Sequence, residues 1–313
     1  MRTDDPFHAD ERALQELMSV RERARKNGAV SIRPFMPEQH QRFFESLTLA
    51  FIATLDEVGR PQADALVGHP GMLRAVTPTL LVVHDMPREH ALHSLRPGAP
   101  MGLLGIDFTN RRRNRANGVV ERHDGGGLAL RVTQSFGNCP RHIHVRRPDP
   151  VVAMATTALD PRTLVENAAT FFIASRSAEL APSRGGGVDI SHRGGAPGFV
   201  HWADGDTVVY DDVPGNNFFN TLGNIVSDPG VSLLFIDSGR QLRIAGDAAL
   251  VAPVATRPVQ VRVRVRLTTL ISEMPELRWP LAIPASPCSS CATGETFPEA
   301  QSPVPHPSTK EST

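Results

Sequence analysis

The sequence predicts a mainly β fold, a β-barrel with flanking helices, which occurs in two tandem copies. In the first half of the chain, short apolar runs alternate with turn residues at regular spacing, a pattern typical of a small antiparallel barrel. The same order of runs returns in the second half, which indicates a repeat of the whole unit. A length of 313 residues leaves room for two such units, each with its own core.

The repeat is visible as short segments that match in the same order. Ala50–Thr54 (AFIAT) returns as Phe171–Ser175 (FFIAS), and Gly102–Asp107 (GLLGID) returns as Ser232–Asp237 (SLLFID). The other matches are His69–Arg74 with Ala196–His201, Asp85 with Asp212, Pro87 with Pro214, and Arg115–Gly118 with Arg243–Gly246. Shared strand propensity alone rarely gives so many matches in register, so we interpret the chain as an internal duplication.

The repeat and the composition divide the chain into four segments. Residues 1–36 form an N-terminal helical lead, residues 37–147 the first copy and residues 148–281 the second copy. Arg146–Pro150 is the predicted hinge between the two copies. Residues 282–313 are rich in Pro, Ser, Thr and Glu and form a predicted flexible tail, because they contain too little apolar surface to order themselves.

Helical spacing of apolar residues predicts the helices. Glu11–Lys26 has apolar residues at this spacing among Arg and Glu, with Asn27-Gly28 as its stop signal. Pro37–Leu47 is predicted as a second helix that begins with a proline. Val151–Ala169 is predicted as a helix that leads into the second copy, and a further helix follows Pro214-Gly215.

Apolar runs bounded by turn residues predict the strands. In the first copy these runs are Leu49–Leu55, Ala63–Val67, a strand that begins near His69–Arg74, Leu80–Val83, Met101–Phe108, Arg111–Glu121 and Leu128–Thr133. In the second copy, Val259–Leu267 alternates strictly between Val and Arg, which predicts a strand with one buried and one charged face. Such a charged face also protects a sheet edge.

Composition and charge exclude several classes of function. The chain has 33 Lys and Arg against 33 Asp and Glu, so no net positive charge attracts nucleic acid, and we expect no nucleic-acid partner. No run approaches the roughly 20 apolar residues of a membrane helix, and the acidic N-terminus is unlike a signal peptide. Cys139, Cys288 and Cys291 are too few for a disulfide framework. We therefore expect a cytoplasmic protein without a membrane partner.

Residues 189–224 contain the residue types that a bound phosphate monoester requires. Ser191-His192-Arg193 meets Gly194 and Gly195, and an Asn-rich segment follows Pro214-Gly215. A cation beside hydroxyl and amide donors binds phosphate well, and glycines let the backbone approach a flat ligand. Composition alone favours a plainer alternative, in which the glycines mark turns and Arg193 is solvated.

Three sequence blocks in this region resemble a known family. The blocks are SHRGGAPGFV, then GNNFFNTLGN, then DPGVSLLFID, and together they resemble the pyridoxamine 5'-phosphate oxidase-like family of FMN-binding split β-barrels over about Ala168–Leu250. The resemblance implies two tandem split barrels that form an internal pseudo-dimer. It also implies a single FMN site, built chiefly by the second copy, because Ala63–Val67 in the first copy has no cation.

The resemblance implies a set of cofactor-binding residues. Arg193 would bind the FMN phosphate, with hydroxyl groups from Ser191 and Thr221 and side-chain amides from Asn220 and Asn224. The other implied cofactor-binding residues are His192, Gly194, Gly195, Phe199, Val200, Asp211, Asn216, Asn217 and, on an SFGNCP segment of the first copy that would reach the flavin, Asn138. The family often has a Lys or Arg on the helix that carries Asn residues here. The alternative for the SFGNCP segment is a turn with a buried Cys139.

The implied activity is that of an FMN-dependent oxidoreductase, which transfers reducing equivalents between FMN and a small molecule. NADH and NADPH are the candidate electron donors. His192 and His201 are the catalytic candidates, because imidazole exchanges protons near neutral pH, although a structural role fits each equally well. Two alternatives stay open: a non-catalytic flavin- or haem-binding carrier or sensor, and a deazaflavin-dependent reductase. A homodimer beyond the internal pseudo-dimer is a further alternative that stays open.

Two other clusters have plainer explanations. Arg111–Arg115 is the densest basic run, and we interpret it as a cation cluster at a strand edge near the flavin seam, because no aromatic residues interleave as in nucleic-acid sites. His142 and His144 lie two residues apart, which would place both imidazoles on one strand face. No Cys or carboxylate stands beside them at zinc spacing, so we expect no metal site.

Overall fold

The computed structural model describes residues 5–84, 91–124, 127–137, 140–146, 160–180, 185–237, 240–251 and 259–272. Within these residues the chain is mainly β, with two seven-stranded antiparallel sheets and short helices around them. The predicted tail at 282–313, most of the predicted hinge, Asn138, and all three cysteines lie outside the described residues. The same holds for Asp85 and Pro87 of the sequence repeat.

The two sheets have the same strand order. The first sheet contains β1 Leu49–Leu55, β2 Pro61–Val67, β3 Leu73–Thr77, β4 Leu80–Val83, β5 Pro100–Asp107, β6 Arg112–Asp124 and β7 Gly127–Gly137. The second contains β8 Thr170–Arg176, β9 Val188–Gly194, β10 Val200–Trp202, β11 Thr207–Asp212, β12 Gly230–Asp237, β13 Arg240–Leu250 and β14 Val259–Ser272. The first order is β2-β1-β5-β6-β7-β4-β3, and the second is β9-β8-β12-β13-β14-β11-β10. Each strand number in the second sheet is therefore its counterpart in the first plus seven.

A β-bulge occurs at the same place in both sheets. The register between β6 and β7 shifts at Asn117/Gly118, and the register between β13 and β14 shifts at Ala245/Gly246. A Cβ atom at either glycine would overlap a backbone carbonyl oxygen of the neighbouring strand, at Arg131 or at Arg264. Both positions therefore require glycine, since the neighbouring backbone leaves no room for a side chain. The two halves share a local irregularity as well as a strand order.

The helices differ in part from the sequence prediction. They are α1 Ala9–Leu17, α2 Arg21–Ser31, α3 Glu38–Glu45, α4 Pro161–Asn167 and α5 Asn220–Ser227, with a 3-10 turn at Ala91–Ser94. The prediction of one helix over Glu11–Lys26 is wrong, because Ser19 adopts a left-handed φ of 56° between α1 and α2. Gly28 does not stop α2. It lies under the ring of Phe7, where a Cβ atom would be 2.6 Å from the ring. None of the described helices is both long and apolar enough to cross a membrane.

The alternating strand is confirmed. It is β14, which continues to Ser272 and lies between β13 and β11. Val259, Val261 and Val263 are buried in the core of the second sheet, whereas Arg262 and Arg264 are exposed. The alternation of Val and Arg in the sequence thus predicts which residues of the strand face the core and which face solvent.

An apolar cluster joins the two sheets. It combines Leu49, Phe51, Ala53, Ala63, Ala65, Leu104, Ile106, Phe108 and Ile143 from the first half with Phe172, Ala174, Val188, Ile190, Leu234 and Ile236 from the second. The rings of Phe51 and Phe172 stack with centroids 3.5 Å apart and an angle of 15°. Gly102 of β5 lies directly against β9, where a Cβ atom would be 2.8 Å from the carbonyl oxygen of Val188. The two sheets therefore pack through a continuous apolar seam.

Polar contacts across this seam are reciprocal. Arg115 of β6 donates to Ser191 of β9, and Arg243 of β13 pairs with Asp64 of β2 at 3.0 Å. Ser191 and Asp64 occupy equivalent places, since they pair with isoleucines at matching positions of β8 and β1. Arg115 and Arg243 also match in the sequence repeat. This reciprocity is what an interface between two related copies produces.

We expect Phe172→Ala to lower the free energy of unfolding by about 3–5 kcal/mol, because it removes one ring of the stacked pair and leaves a cavity in the seam. Urea denaturation at neutral pH measures this change. Val58→Ala serves as a control, since Val58 is 74% exposed and its truncation should change the free energy by no more than about 0.5 kcal/mol. Equal effects of the two substitutions would show that the seam does not stabilise the fold.

Candidate functional site

A cleft of about 100 Å³ lies beside β9 and the first turn of α5. Its walls come from both halves of the chain: β9, the segment from Asp211 to Leu222, and Arg113, Arg115, Arg141 and His142 of the first half. Its volume is roughly that of three waters, which is enough for a phosphate-sized group. The rest of a larger ligand would therefore lie outside this volume, along the open side of the cleft. The cleft is therefore a shared feature of the two halves.

Four arginines line the cleft, where the sequence predicted a single cation. They are Arg113 and Arg115 of β6, Arg141, and Arg193 of β9. Asp211 and Asp212 line it as well. The expectation of one guanidinium is corrected, because the seam brings three arginines of the first half to the strand that carries Arg193.

Arg193 lies in the wall of the cleft and is paired there. Its Nε is 2.7 Å from Oδ1 of Asp212, the last residue of β11, and its Nη1 donates to the carbonyl oxygen of His192. Its side chain is 18% exposed. The carboxylate of Asp212 thus balances the charge of Arg193 and fixes the orientation of its guanidinium.

Arg115 is the buried cation of the site. Its Nη1 donates to Oδ2 of Asp189 at 2.6 Å, and its Nη2 donates to Oγ of Ser191 at 2.5 Å. Its guanidinium also lies 5.3 Å from the ring centroid of Phe136. Since Arg115 is only 4% exposed, these contacts compensate for the loss of water around its charge.

Ser191 retains a hydrogen that it can donate. Its Oγ accepts one hydrogen bond from Arg115 and another from Oγ1 of Thr221 at 2.9 Å. Because a hydroxyl oxygen has two lone pairs and one hydrogen, the hydrogen of Ser191 is left to donate to a ligand. Ser191 and Thr221 thus act together as one donor in the cleft.

The first turn of α5 forms another part of the wall. Phe219 precedes this helix with a left-handed φ of 65°, and Asn220, Thr221 and Leu222 line the cleft. The backbone N–H groups of a first helical turn have no acceptor within the helix, and the helix dipole is positive at this end. This position therefore favours an anion in the cleft.

The side chain of Asn220 is held by the N-terminal helix. Its Nδ2 donates to Oε1 of Glu11 at 2.6 Å, and its Oδ1 accepts from Nη1 of Arg115 at 3.4 Å. Glu11 is 2% exposed, and its Oε2 accepts from the backbone N–H of His8 at 2.8 Å. Burial raises the pKa of Glu11 from 4.5 to about 8, although the hydrogen bonds from His8 and Asn220 oppose this rise.

The two catalytic candidates lie in different places, with His192 at the cleft and His201 outside its lining. His192 is 4% exposed and packs edge-on against Phe172 and Phe108. Burial, with the nearby charges of Arg113, Arg146 and Arg193, lowers its pKa well below 6.5. His192 therefore stays neutral near pH 7 and does not exchange a proton there by titration. His201 is exposed on β10 and does not line the cleft.

The structure brings some of the expected cofactor-binding residues to the cleft and leaves others elsewhere. Those at the cleft are Ser191, His192, Arg193, Gly194, Phe199, Asp211, Asn216, Asn217, Asn220 and Thr221. Gly195 lies behind the ring of Phe199, and Val200 is fully buried in the core. Asn224 lies one turn further along α5 than Asn220, where it contacts His8 and Ser175 and does not line the cleft.

The residues that follow the SFGNCP segment reach the cleft, whereas Asn138 of that segment lies outside the described residues. The residues that line the cleft are Arg141 and His142, in the loop after β7. A Cβ atom at Gly194 would overlap the carbonyl oxygen of His142, so this glycine allows the loop to approach β9. The expectation that His142 and His144 share a strand face is wrong, because residues 141–146 form no strand and His142 has a φ of 67°.

Sequence reasoning missed several residues of the site. The basic run Arg111–Arg115 was expected near the seam, and its alternation along β6 could have singled out Arg113 and Arg115. His142 was considered only as a metal ligand. The sequence pattern did not indicate a role for Glu11 in the site, because an acidic residue on an amphipathic helix is ordinarily solvated.

Comparisons with known proteins give weak matches. No family model and no curated protein matches the chain. Among solved structures, HupZ of Group A Streptococcus is similar at 15% identity, covering 36% of this chain and 90% of that chain with a TM-score of 0.28. An F420 reductase is similar at 16% identity, covering 36% of this chain and 98% of its own, with a TM-score of 0.27. A Clostridium acetobutylicum protein related to general stress protein 26 of B. subtilis, of the pyridoxinephosphate oxidase family, has 10% identity, coverages of 36% and 84%, and a TM-score of 0.26.

Each of these three structural neighbours matches about a third of this chain, and one of them is described as a member of the pyridoxinephosphate oxidase family. Because their TM-scores are low, we base the functional proposal on the residues of the cleft.

We expect the stability contribution of Glu11 to depend on pH. Between pH 4.5 and about pH 8 the folded protein binds more protons at Glu11 than the unfolded chain does, so this contribution is present below pH 4.5 and is lost as the pH rises through 8. The slope is at most about 1.4 kcal/mol per pH unit. Urea denaturation of Glu11→Gln across this range should show a stability that rises relative to the wild-type protein as the pH increases. Parallel profiles would contradict the raised pKa.

We expect Arg115→Ala to lower the free energy of unfolding by about 3–5 kcal/mol, because it leaves Asp189 buried without its cation. The double substitution Arg115→Met with Asp189→Leu should recover most of this loss, since it removes both charges. Chemical denaturation at pH 7 measures both variants. A single substitution that costs less than about 1 kcal/mol would contradict this account.

Proposed function

We propose that the chain is an FMN-binding flavoprotein, composed of two tandem split barrels, whose cleft binds the phosphate of FMN. The observation that supports this proposal is the donor set of the cleft: the guanidinium of Arg193, the hydroxyl of Ser191 and the first turn of α5 converge on one small volume. Charge-assisted donors, a hydroxyl and helical N–H groups together are what a phosphate monoester requires.

The rest of the flavin would extend from the phosphate along the open side of the cleft. Phe199 offers an aromatic ring there, and Gly194 offers backbone without a side chain. When bound, FMN supplies the hydride and electron chemistry, and the protein supplies binding and orientation. In this proposal Arg193 binds, Asp212 orients Arg193, and Ser191 donates a hydrogen bond.

The proposal assigns one FMN site to each chain. In the first half, Asp64 stands where Ser191 stands in the second, and it pairs with Arg243 at 3.0 Å. A carboxylate at this place repels a phosphate, whereas a hydroxyl donates to it. The equivalent place in the first half is therefore poorly suited to an anion.

As an enzyme, the protein would transfer reducing equivalents between FMN and a small molecule, with NADH or NADPH as the electron donor. No side chain is assigned as acid or base, because His192 is neutral and buried and His201 lies outside the cleft lining.

A haem-binding carrier is the second candidate, and one observation favours it. Among the described residues, neither Nε2 of His142 nor Nε2 of His192 has a hydrogen-bond partner, and both side chains line the cleft. The pKa of each imidazole is lowered, chiefly by burial, so both rings are neutral and able to bind iron.

We expect the wild-type protein to bind FMN more tightly than riboflavin, and Arg193→Gln with Asp212→Asn to weaken FMN binding by about 10-fold or more. The double substitution removes the cation without leaving an unpaired carboxylate beside the phosphate. Quenching of flavin fluorescence measures both affinities. Riboflavin affinity should stay unchanged, because riboflavin has no phosphate.

Arg264→Ala is the control, since the Arg264 side chain is 78% exposed on β14. Equal FMN affinity in the double variant and the wild-type protein would refute the phosphate site. Titrations with haem and with a deazaflavin separate the other candidates, and oxidation of NADH or NADPH by the FMN-loaded protein separates an enzyme from a carrier.

A further inference from the structure

We propose that Glu11 on the N-terminal helix α1 is a positioning residue of the cleft, which fixes the side chain of Asn220 and makes α1 part of the binding site. The identity of the ligand in this inference rests on the proposed function, whereas the positioning of Asn220 does not.

The contact between Glu11 and Asn220 is buried and short. Oε1 of Glu11 accepts from Nδ2 of Asn220 at 2.6 Å, and Oε2 accepts from the backbone N–H of His8 at 2.8 Å. Glu11 is 2% exposed, although it belongs to a helix near the chain terminus. Burying a carboxyl group costs free energy, so the buried position of Glu11 against α5 indicates a specific role for this residue.

The amide of Asn220 has a defined orientation. Its Oδ1 faces Nη1 of Arg115, which can only donate, so its Nδ2 must face Glu11. Arg115 in turn donates to Ser191, the hydroxyl that lines the cleft. A continuous series of hydrogen bonds therefore joins Glu11 to the donor group of the proposed phosphate site.

The two helices approach each other without intervening side chains. A Cβ atom at Gly223 of α5 would be 2.5 Å from Cγ and 2.9 Å from the backbone nitrogen of Glu11. Glycine at this position thus allows α1 to dock closely enough for Glu11 to reach Asn220. A methyl group there would move Glu11 away from Asn220 without substituting any residue that lines the cleft.

Other contacts fix α1 independently of Glu11. Nε2 of His8 lies 3.1 Å from Oδ1 of Asn224, and Phe7 packs against Phe218 with ring centroids 5.2 Å apart. Substitution of Glu11 should therefore leave α1 docked. Its loss changes the orientation of Asn220 rather than the fold.

The ionisation of Glu11 gives a readout that a purely structural contact lacks. The pKa of Glu11 is raised to about 8, so the group is mostly neutral at pH 7 and its carbonyl oxygen still accepts from Asn220. The charged and titratable groups around it are His8, Asp189 and Arg115. Ionisation above pH 8 therefore changes the charge of the oxygen that accepts from the Asn220 amide.

The ligand-free test follows the side-chain NH₂ group of Asn220 by ¹⁵N NMR, assigned by its loss in Asn220→Ala. In the wild-type protein this signal should shift with a midpoint near pH 8. In Glu11→Gln, which keeps an acceptor oxygen but does not titrate, the shift should disappear. In Glu11→Ala, hydrogen exchange of this NH₂ group should be about 10-fold faster. An Asn220 signal that ignores pH in the wild-type protein, or an unchanged exchange rate in Glu11→Ala, would overturn the proposal.

The binding test measures FMN affinity in the same variants. Glu11→Ala and Gly223→Ala should each bind FMN about 10-fold more weakly, and Glu11→Gln should bind with near wild-type affinity. Glu16→Ala is the matched control, because Glu16 is exposed on the same helix. Unchanged FMN affinity in Glu11→Ala, with only a lower free energy of unfolding, would overturn the proposal. Failure of the wild-type protein to bind FMN refutes the proposed function alone, since the NMR test needs no ligand.

Discussion

The structure depends on one buried cation that crosses from the first sheet to the second. Arg115 projects from β6, and its charge is compensated by Asp189 and Ser191 of β9. A guanidinium that is 4% exposed is costly to leave without its carboxylate, so this ion pair favours the one register of the two sheets in which Arg115 meets Asp189. The apolar seam around Phe51 and Phe172 supplies the favourable burial, and the ion pair selects the register.

The same crossing explains why the two halves differ in chemistry. Arg115 extends from the first sheet to Ser191 of the second. Arg243 extends from the second sheet to the first, where it pairs with Asp64 at the position equivalent to Ser191. In the first half, the carboxylate of Asp64 occupies the place where an anion would bind. In the other the carboxylate is Asp189, which leaves the Ser191 hydroxyl free to donate. The hydroxyl of Ser191 in place of the carboxylate of Asp64, together with Arg193 on β9, thus separates a candidate anion site from a structural ion pair.

Two of the four arginines at the cleft are paired with carboxylates before any ligand binds. Arg193 pairs with Asp212, and Arg115 pairs with Asp189. These pairs orient the guanidinium groups, so a ligand does not have to order them on binding. Behind them, the buried carboxyl group of Glu11 extends the site to the N-terminal helix. Helix α1 therefore belongs to the same polar network as β9 and the cleft.

The sequence by itself determined the features that depend on local periodicity. It predicted the two-faced strand β14, the repeated order of apolar runs, and the region of Ser191 and Arg193 as the candidate site, because strand alternation and turn residues are visible within a few positions. Only the tertiary structure decided which distant groups meet there. Glu11 and Arg115 lie far from β9 in the chain, and the packing of α1 on α5 and of β6 on β9 brings them together. The pKa of Glu11 is raised because this packing buries its carboxyl group, and no short segment of the sequence indicates that burial.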